Sequence, residues 1–259
     1  MKIIVFSSGS KGNTTYIESD NAKILIDAGN TAKYINDCLI KNNISVLDID
    51  AILITHTHVD HIGGLKTFSK KTNACVYIMP GMVNELSYLK NYKIMDNDEF
   101  DIKDLHIKRI NTSHDAVDSG GYIVSSNDRS LVYITDTGYI NKKYFDLLSN
   151  RELYIMESNH DIEMLNHSSY PFRIRQRILS DKGHLSNYDS AKYLSSFIGN
   201  KTKYIILAHL SQENNTEELA YNTLMDRFKK ENIKFKNVFI SKQNIETDLI
   251  EIWLIRSFL

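Results

Sequence analysis

Short apolar runs recur along the chain, separated by polar or turn-forming residues, and they fall into two periods. Runs at residues 2–6, 15–19, 23–27, 51–55, 75–79, 106–110, 121–125, 130–134, 153–156, 204–208 and 238–240 have the length and β-branched content of strands. Helix-like spacing occupies residues 31–42, 81–91, 142–149, 171–179, 187–197 and 217–231. In the last of these Leu219, Leu224 and Phe228 form one apolar stripe. The early strands follow one another like hairpins, whereas the later ones alternate with helices, which predicts crossovers packed outside a sheet. Two sheets face to face with helices on both outer surfaces fit this order. No Pro-, Gly- or Ser-rich linker and no internal repeat divides the chain, so a single domain over residues 1–259 is expected.

One apolar run ends in an unusual way. Ala51-Ile52-Leu53-Ile54 passes directly into Thr55-His56-Thr57-His58-Val59-Asp60-His61, which places three imidazoles and a carboxylate within six residues. Those are ligand types that suit zinc, manganese or iron. His56 and His58 share a direction on an extended backbone, and a turn through Asp60 and His61 aims a second pair alongside. A solvated histidine-rich loop is the bland alternative, but it would not follow four consecutive apolar residues. His114, Asp136 and His209 also stand just past predicted strands. A lone His or Asp in that setting is ordinarily a turn or capping residue; beside the first motif, the three read as further ligands.

Composition sets the class. An apolar fraction of 42% and a charged fraction of 24% are those of an ordinary globular chain long enough to bury a full core. Cys38 and Cys75 are the only cysteines and lie far apart, so no disulfide framework is implied. The apolar start at residues 1–6 is too short for a signal peptide, and no run is long enough to span a membrane. Cytoplasm is the expected compartment. Lys and Arg total 31 against 32 acidic residues, without the basic excess typical of a non-specific nucleic-acid binder. Any positive surface must therefore be local. Arg173 and Arg177 would share one face of a helix; Lys66, Lys70 and Lys71 form a weaker patch, read as the wet side of a helix.

With these motifs in place, the chain resembles the metallo-β-lactamase-fold hydrolases, whose signature is HxHxDH, a later His, a bridging Asp and a final His. The resemblance implies an α/β (α+β) four-layer αββα sandwich. It also implies two divalent metal ions, manganese or zinc: His56, His58 and His114 hold one, Asp60, His61 and His209 the other, and Asp136 lies between them. Asp27, in Leu25-Ile26-Asp27-Ala28-Gly29, matches the early Asp that orients ligands from behind.

Further segments narrow the likeness. Ser7-Ser8-Gly9-Ser10-Lys11-Gly12-Asn13, Glu157-Ser158-Asn159-His160-Asp161, Gly183-His184-Leu185-Ser186-Asn187 and the stretch from His209 to Asn215 are similar to the bacterial WalJ/YycJ group, a branch related to RNase J and RNase Z. Tyr170-Pro171 and Gln176-Arg177-Ile178 belong to the same pattern. The interval between Asp136 and His209 is filled by predicted strands and helices, leaving no room for the large β-CASP cap of RNase J-type enzymes.

The activity implied is that of a 5′-to-3′ exonuclease acting on DNA in preference to RNA, with a possible part in DNA repair. Asp60 would orient or deprotonate the attacking water, and His184 would bind phosphate or protonate the leaving group. His160, Arg177 and Ser186 are the remaining candidates for substrate contact, and Ser186 or Asn187 could cap a helix there. An RNA-processing nuclease, a thioester or lactone hydrolase, and a non-catalytic ligand-binding protein remain open alternatives. Nothing in the sequence signals an oligomeric state.

Overall fold

The computed structural model describes residues 1–253. The sandwich is built from two seven-stranded sheets. The first contains β1 (Lys2–Ser7), β2 (Thr14–Glu18), β3 (Lys23–Ile26), β4 (Ala51–Leu53), β5 (Cys75–Ile78) and β6 (Tyr92–Ile94). The second contains β7 (Glu99–Ile102), β8 (Leu105–Asn111), β9 (Gly120–Ser126), β10 (Arg129–Ile134), β11 (Leu153–Glu157), β12 (Tyr204–Ala208) and β13 (Val238–Ile240). A two-residue strand, β14 (Ile250–Glu251), returns to pair with β1.

Each sheet is antiparallel in one half and parallel in the other. β1, β2 and β3 form an antiparallel meander, and β3 to β6 run parallel. Likewise β7 to β10 are antiparallel neighbours, and β10 to β13 run parallel. Parallel strands need crossovers on the sheet face, so the inner ones have both faces covered and are largely apolar. This is why Ala51–Leu53 and Leu153–Glu157 are buried along their whole length.

The period of two decides which core each side chain joins. Ile24, Ile26 and Leu53 point between the sheets, where they meet Tyr122, Leu131, Tyr133 and Ile155. Leu25, Ile52 and Ile54 point outward. There they pack on α1 (Ala32–Lys41) and, beyond a short α2 (Val59–Ile62), on α3 (Leu65–Phe68). On the far side, after α4 (Phe145–Leu148), α5 (Ile162–Asn166) and α6 (Phe172–Ile178), two long helices close the second sheet. They are α7 (Asn187–Phe197) and α8 (Glu217–Lys230), whose Leu194, Phe197, Leu224 and Phe228 cover Ile205 and Leu207. Three apolar layers between four layers of structure make the expected αββα sandwich. No cap domain is present: the interval from Asp136 to His209 is spent on α4 to α7, β11 and β12.

Some elements differ from the pattern's prediction. Residues 81–91 form no helix; Pro80–Met82 make a 3-10 turn, and a single α-type bond, Leu86 N–H to Met82 O at 3.0 Å, follows. Met82, Leu86 and Leu89 still reach the core, but Gly81, Asn84, Ser87 and Asn91 are poor helix formers. In α8 the buried stripe is Ala220, Leu224 and Phe228, while Leu219 is exposed. β6, β7, β14 and α5 are not predicted by the apolar pattern, because each is too short to show a period; the three strands lie at sheet edges, where strands are commonly short. The single domain expected over 1–259 includes residues 254–259, which lie outside the described residues. Among the described residues no helix is long and apolar enough to cross a membrane, and both cysteines are free.

Candidate metal centre and active site

The topology gathers the chemistry at one edge. β3, β4, β8, β10, β11 and β12 all end on that side, and Asp27, His56, His114, Asp136, Glu157 and His209 stand at or just past their ends. The carboxyl ends of parallel strands are where open sheets of this kind bind ligands. Asp27, Asp136 and His209 also have left-handed backbones, with φ of 60°, 57° and 57°. Such strain in non-glycine residues persists where surrounding contacts enforce it. Gly29 is required for packing: a Cβ there would stand 1.7 Å from the Asp60 carbonyl oxygen.

Two groups of ligand-type atoms result. His56, His58 and His114 form one, and Asp60, His61, Asp136 and His209 the other, each with its atoms within 4.8 Å of one another. In the first, His58 Nδ1 lies 3.2 Å from His114 Nε2. In the second, His61 Nε2 is 3.1 Å from Asp136 Oδ2 and 3.4 Å from Asp60 Oδ2, and His209 Nε2 is 3.4 Å from the same Asp60 oxygen. Asp136 faces both groups, because its other oxygen is 3.7 Å from His114 Nε2.

These residues fit metal ions. His56 Nε2 and Asp136 Oδ2 are buried without a hydrogen bond, an expensive condition for a polar atom unless something else coordinates it. The donor set of imidazoles and carboxylates is the kind that borderline divalent cations take.

Behind the ligands lies a dense second layer. Asp27, fully buried, accepts from Thr55 N–H at 2.8 Å, Thr55 Oγ1 at 2.8 Å and His61 Nδ1 at 2.7 Å, leaving His61 Nε2 free for the site. Asn13, at the end of the Ser7–Asn13 loop, places Nδ2 3.2 Å from Asp60 Oδ2 and 3.1 Å from His61 Nε2. The Ser8 hydroxyl accepts the His209 backbone N–H at 2.8 Å.

Electrostatics follow from this crowding. Burial acts against charge on Asp60, yet the neighbouring His61 and His209 hold its carboxyl well below the usual range. Burial would lower His209, but Asp136, Asp60 and Glu157 push it up to about 10. In His56 burial wins and the imidazole is held well below its ordinary value. A cluster that traps protons on some histidines and carboxylates in ionised form is primed to exchange those protons for metal.

Glu157 is the principal site residue that sequence reasoning missed. It is fully buried and accepts four bonds: Thr137 N–H at 3.0 Å, Leu185 N–H at 3.1 Å, His184 Nδ1 at 2.8 Å and His209 Nδ1 at 2.9 Å. Although burial opposes ionisation, His184 and His209 hold it down at about 2. Glu157, Asp136, His184 and His209 could themselves hold a cation. With its oxygens already occupied by four donors, however, Glu157 acts as the acceptor that fixes both imidazoles. The signal in sequence was its place directly after the predicted strand 153–156, the same setting as the other candidates.

The cleft over these groups has a volume of about 360 Å³. His58, Asp60, His114, Asp136, His184 and His209 line it, with Arg177 and Tyr170 at its wall. His184 keeps Nδ1 on Glu157, so Nε2 is left for the cleft. Arg177 forks onto Asp115 at 2.5 and 2.9 Å, which anchors it beside His114. Arg173 is exposed on the same helix, and Lys66, Lys70 and Lys71 are exposed around α3. Two candidates stand away from the cleft. His160 is buried, with both ring nitrogens unpartnered and its pKa lowered to about 4 by burial. Ser186 caps α7 through Asp189 N–H at 3.1 Å and donates to the Asp189 carboxylate at 2.6 Å.

Residues 8–209 match the Metallo-beta-lactamase superfamily. The chain is 38% identical over 244 residues to the exodeoxyribonuclease WalJ of Streptococcus pneumoniae, covering 87% of each protein. It is likewise 38% identical over 224 residues to the exodeoxyribonuclease YycJ of Bacillus anthracis, covering 83% of this chain and 84% of the relative. Among solved structures, the metallo-beta-lactamase fold protein YhfI of Bacillus subtilis superposes with a TM-score of 0.73 over 95% of this chain and 98% of the other, at 14% identity. That last likeness concerns the fold alone.

Proposed function

The chain belongs to the metallo-β-lactamase superfamily, and from that premise we propose that it is a metal-dependent phosphodiesterase, a 5′-to-3′ exonuclease that shortens DNA. The observation that carries this reading is a complete imidazole–carboxylate set, open to a cleft, in a chain matching named exodeoxyribonucleases over most of its length. His56, His58 and His114 would hold one divalent ion, Asp60, His61 and His209 the other, and Asp136 would touch both. Manganese and zinc suit these ligands. When bound, such ions supply an activated water at neutral pH and offset the charge of the phosphate.

The protein's own groups do the rest. Asp60, held ionised, orients the attacking water or takes its proton. His184 presents Nε2 to the leaving sugar oxygen as its proton source, while the buried Glu157 carboxylate on Nδ1 fixes the orientation of the ring. Arg177 offers a cation at the cleft wall for the phosphate. His160 and Ser186, set behind the surface, hold the start of α7 instead of meeting substrate: the His160 carbonyl accepts the Asn187 N–H at 2.8 Å, and Ser186 caps the helix. We read the chain as one domain working in the cytoplasm, a reading supported by its unpaired cysteines.

The test is to incubate metal-loaded protein with single- and double-stranded DNA and RNA labelled at either end. Degradation of DNA from the 5′ end, resisted by a 5′ block more than by a 3′ block, is the expected result. Cleavage of closed circles, preference for RNA, or attack from the 3′ end would overturn the assignment.

A further inference from the structure

A second cavity of about 420 Å³ opens next to the metal cleft. The two share Leu210, Ser211 and Gln212, and Ser8 and Ser10 of one loop fall on either side of that divide. The shared wall is tied to a proposed ligand, since Ser8 accepts the His209 N–H at 2.8 Å and the Ser8 carbonyl accepts Gln243 Nε2 at 3.2 Å. The floor is set by Ser241, Asn244 and Ile245, in a segment outside every motif discussed above.

The two cavities differ in charge. The metal cleft is bounded by α6, whose Arg177 is held by Asp115 and whose Arg173 is exposed. The second cavity is lined mainly by hydroxyls and amides, and its one cation, Lys242, is paired with Glu217 at 3.0 Å. A polyanion gains nothing from such a surface, but a nucleoside does: amides and hydroxyls can meet base or sugar edges, and exposed Ile245 offers an apolar face. The volume lies at the lower end of the roughly 300–1,000 Å³ range of small-ligand sites, suited to one such group and not to a run of them.

We propose that this cavity is a terminal-nucleotide subsite, which seats the nucleoside about to be released while the remaining strand leaves the metal cleft along the arginine-bearing side of α6. The proposal rests on the nuclease reading above. It gives the enzyme a way to grip an end: a strand interior, flanked on both sides by further phosphates, finds no unpaired cation lining this cavity.

The experiment compares the metal-loaded parent with the double variant Asn244→Ala/Ile245→Ala, both positions being exposed. Substrates are oligodeoxynucleotides with a normal or an abasic 5′-terminal residue, together with a chromogenic nitrophenyl phosphodiester. The parent should prefer the normal end about 5- to 10-fold in kcat/KM, the loss expected from one or two net hydrogen bonds. In the variant that preference should collapse toward 1, and the ratio of oligonucleotide to chromogenic kcat/KM should fall by a similar factor. A parent indifferent to the terminal base, or a variant as discriminating as the parent, overturns the subsite and leaves the nuclease reading intact. A parent that cuts the chromogenic diester but no polynucleotide overturns both.

Discussion

The two halves of the proposed metal centre draw on similar candidate ligands but are supported very differently. In the half containing Asp60, His61 and His209, every ligand has a buried partner behind it. Asp27 holds His61 at 2.7 Å, Glu157 holds His209 at 2.9 Å, and Asn13 meets Asp60 at 3.2 Å. In the half containing His56, His58 and His114 the supports are thinner. His56 has only the Thr55 hydroxyl at 3.1 Å, His114 a backbone carbonyl at 3.1 Å, and His58, with its side chain 34% exposed, meets only His114 and, at 3.8 Å, Asp115. Preorganised ligands bind metal without first paying to order themselves. The carboxylate half should therefore hold its ion tightly, and the three-histidine half should exchange its ion more readily.

The most drastic way to break this comparison is to remove the residue that belongs to both halves. Asp136→Ala takes away the carboxylate that faces His61 at 3.1 Å and His114 at 3.7 Å. Metal content should fall below the two ions per chain proposed for the parent, and nuclease activity should vanish. Elemental analysis of fully loaded protein checks this, and a parent that saturates at one ion would end the dinuclear reading. His184→Ala comes next. It should cost about 10²–10⁴-fold in turnover, the usual contribution of a general acid, with metal content and thermal stability near the parent's. If His184→Ala strips an ion, His184 is a ligand and the leaving group has another proton source.

Much of this was legible in the sequence, and the part that was not has a common cause. The parallel strands announced themselves because inner strands covered on both faces are apolar, and the candidate ligands because each stands just past a predicted strand. What could not be read was which strand ends become neighbours. Glu157 sits between Asp136 and His209 only because β10, β11 and β12 pair side by side. The grip of Asn13 on Asp60 spans 47 residues of chain. The same limit explains His160 and Ser186: two separate matched motifs marked them, but in the fold Ser186 turns to cap α7 and the His160 ring is buried away from the cleft.

Glu157→Gln probes that hidden layer. An amide cannot accept from both imidazoles and two backbone N–H groups at once, because its nitrogen is itself a donor. Both imidazoles meet Oε1 and both backbone N–H groups meet Oε2, so one pair must face the amide nitrogen. The anchoring of His184 and His209 is then disturbed either directly or through the displaced side chain. Loss of such an outer partner typically costs about 10–100-fold in metal affinity or activity. If the loss comes through His209, excess metal should restore much of the rate; if it comes through His184, it should not. Unchanged kinetics at limiting metal would show that Glu157 only fills space.

The smallest expected effect is the most discriminating between the halves. Thr55 Oγ1 touches His56 Nδ1 at 3.1 Å, His61 Nδ1 at 3.1 Å and Asp27 Oδ2 at 2.8 Å, so one hydroxyl stands behind a ligand of each half. Thr55→Val keeps the shape and deletes the hydrogen bonds, which are worth about 0.5–1.5 kcal/mol each in net terms, or roughly 2- to 10-fold in an equilibrium constant. His61 retains Asp27 as a direct partner after this change, whereas His56 retains none. The more labile ion should consequently weaken by that factor and leave earlier in a chelator titration, while the tighter ion stays close to its parental affinity. Thr55→Ser, which restores the hydroxyl, should restore the parental titration. If Thr55→Val weakens both ions equally, the halves share a single support and the asymmetry drawn from their hydrogen bonds is wrong.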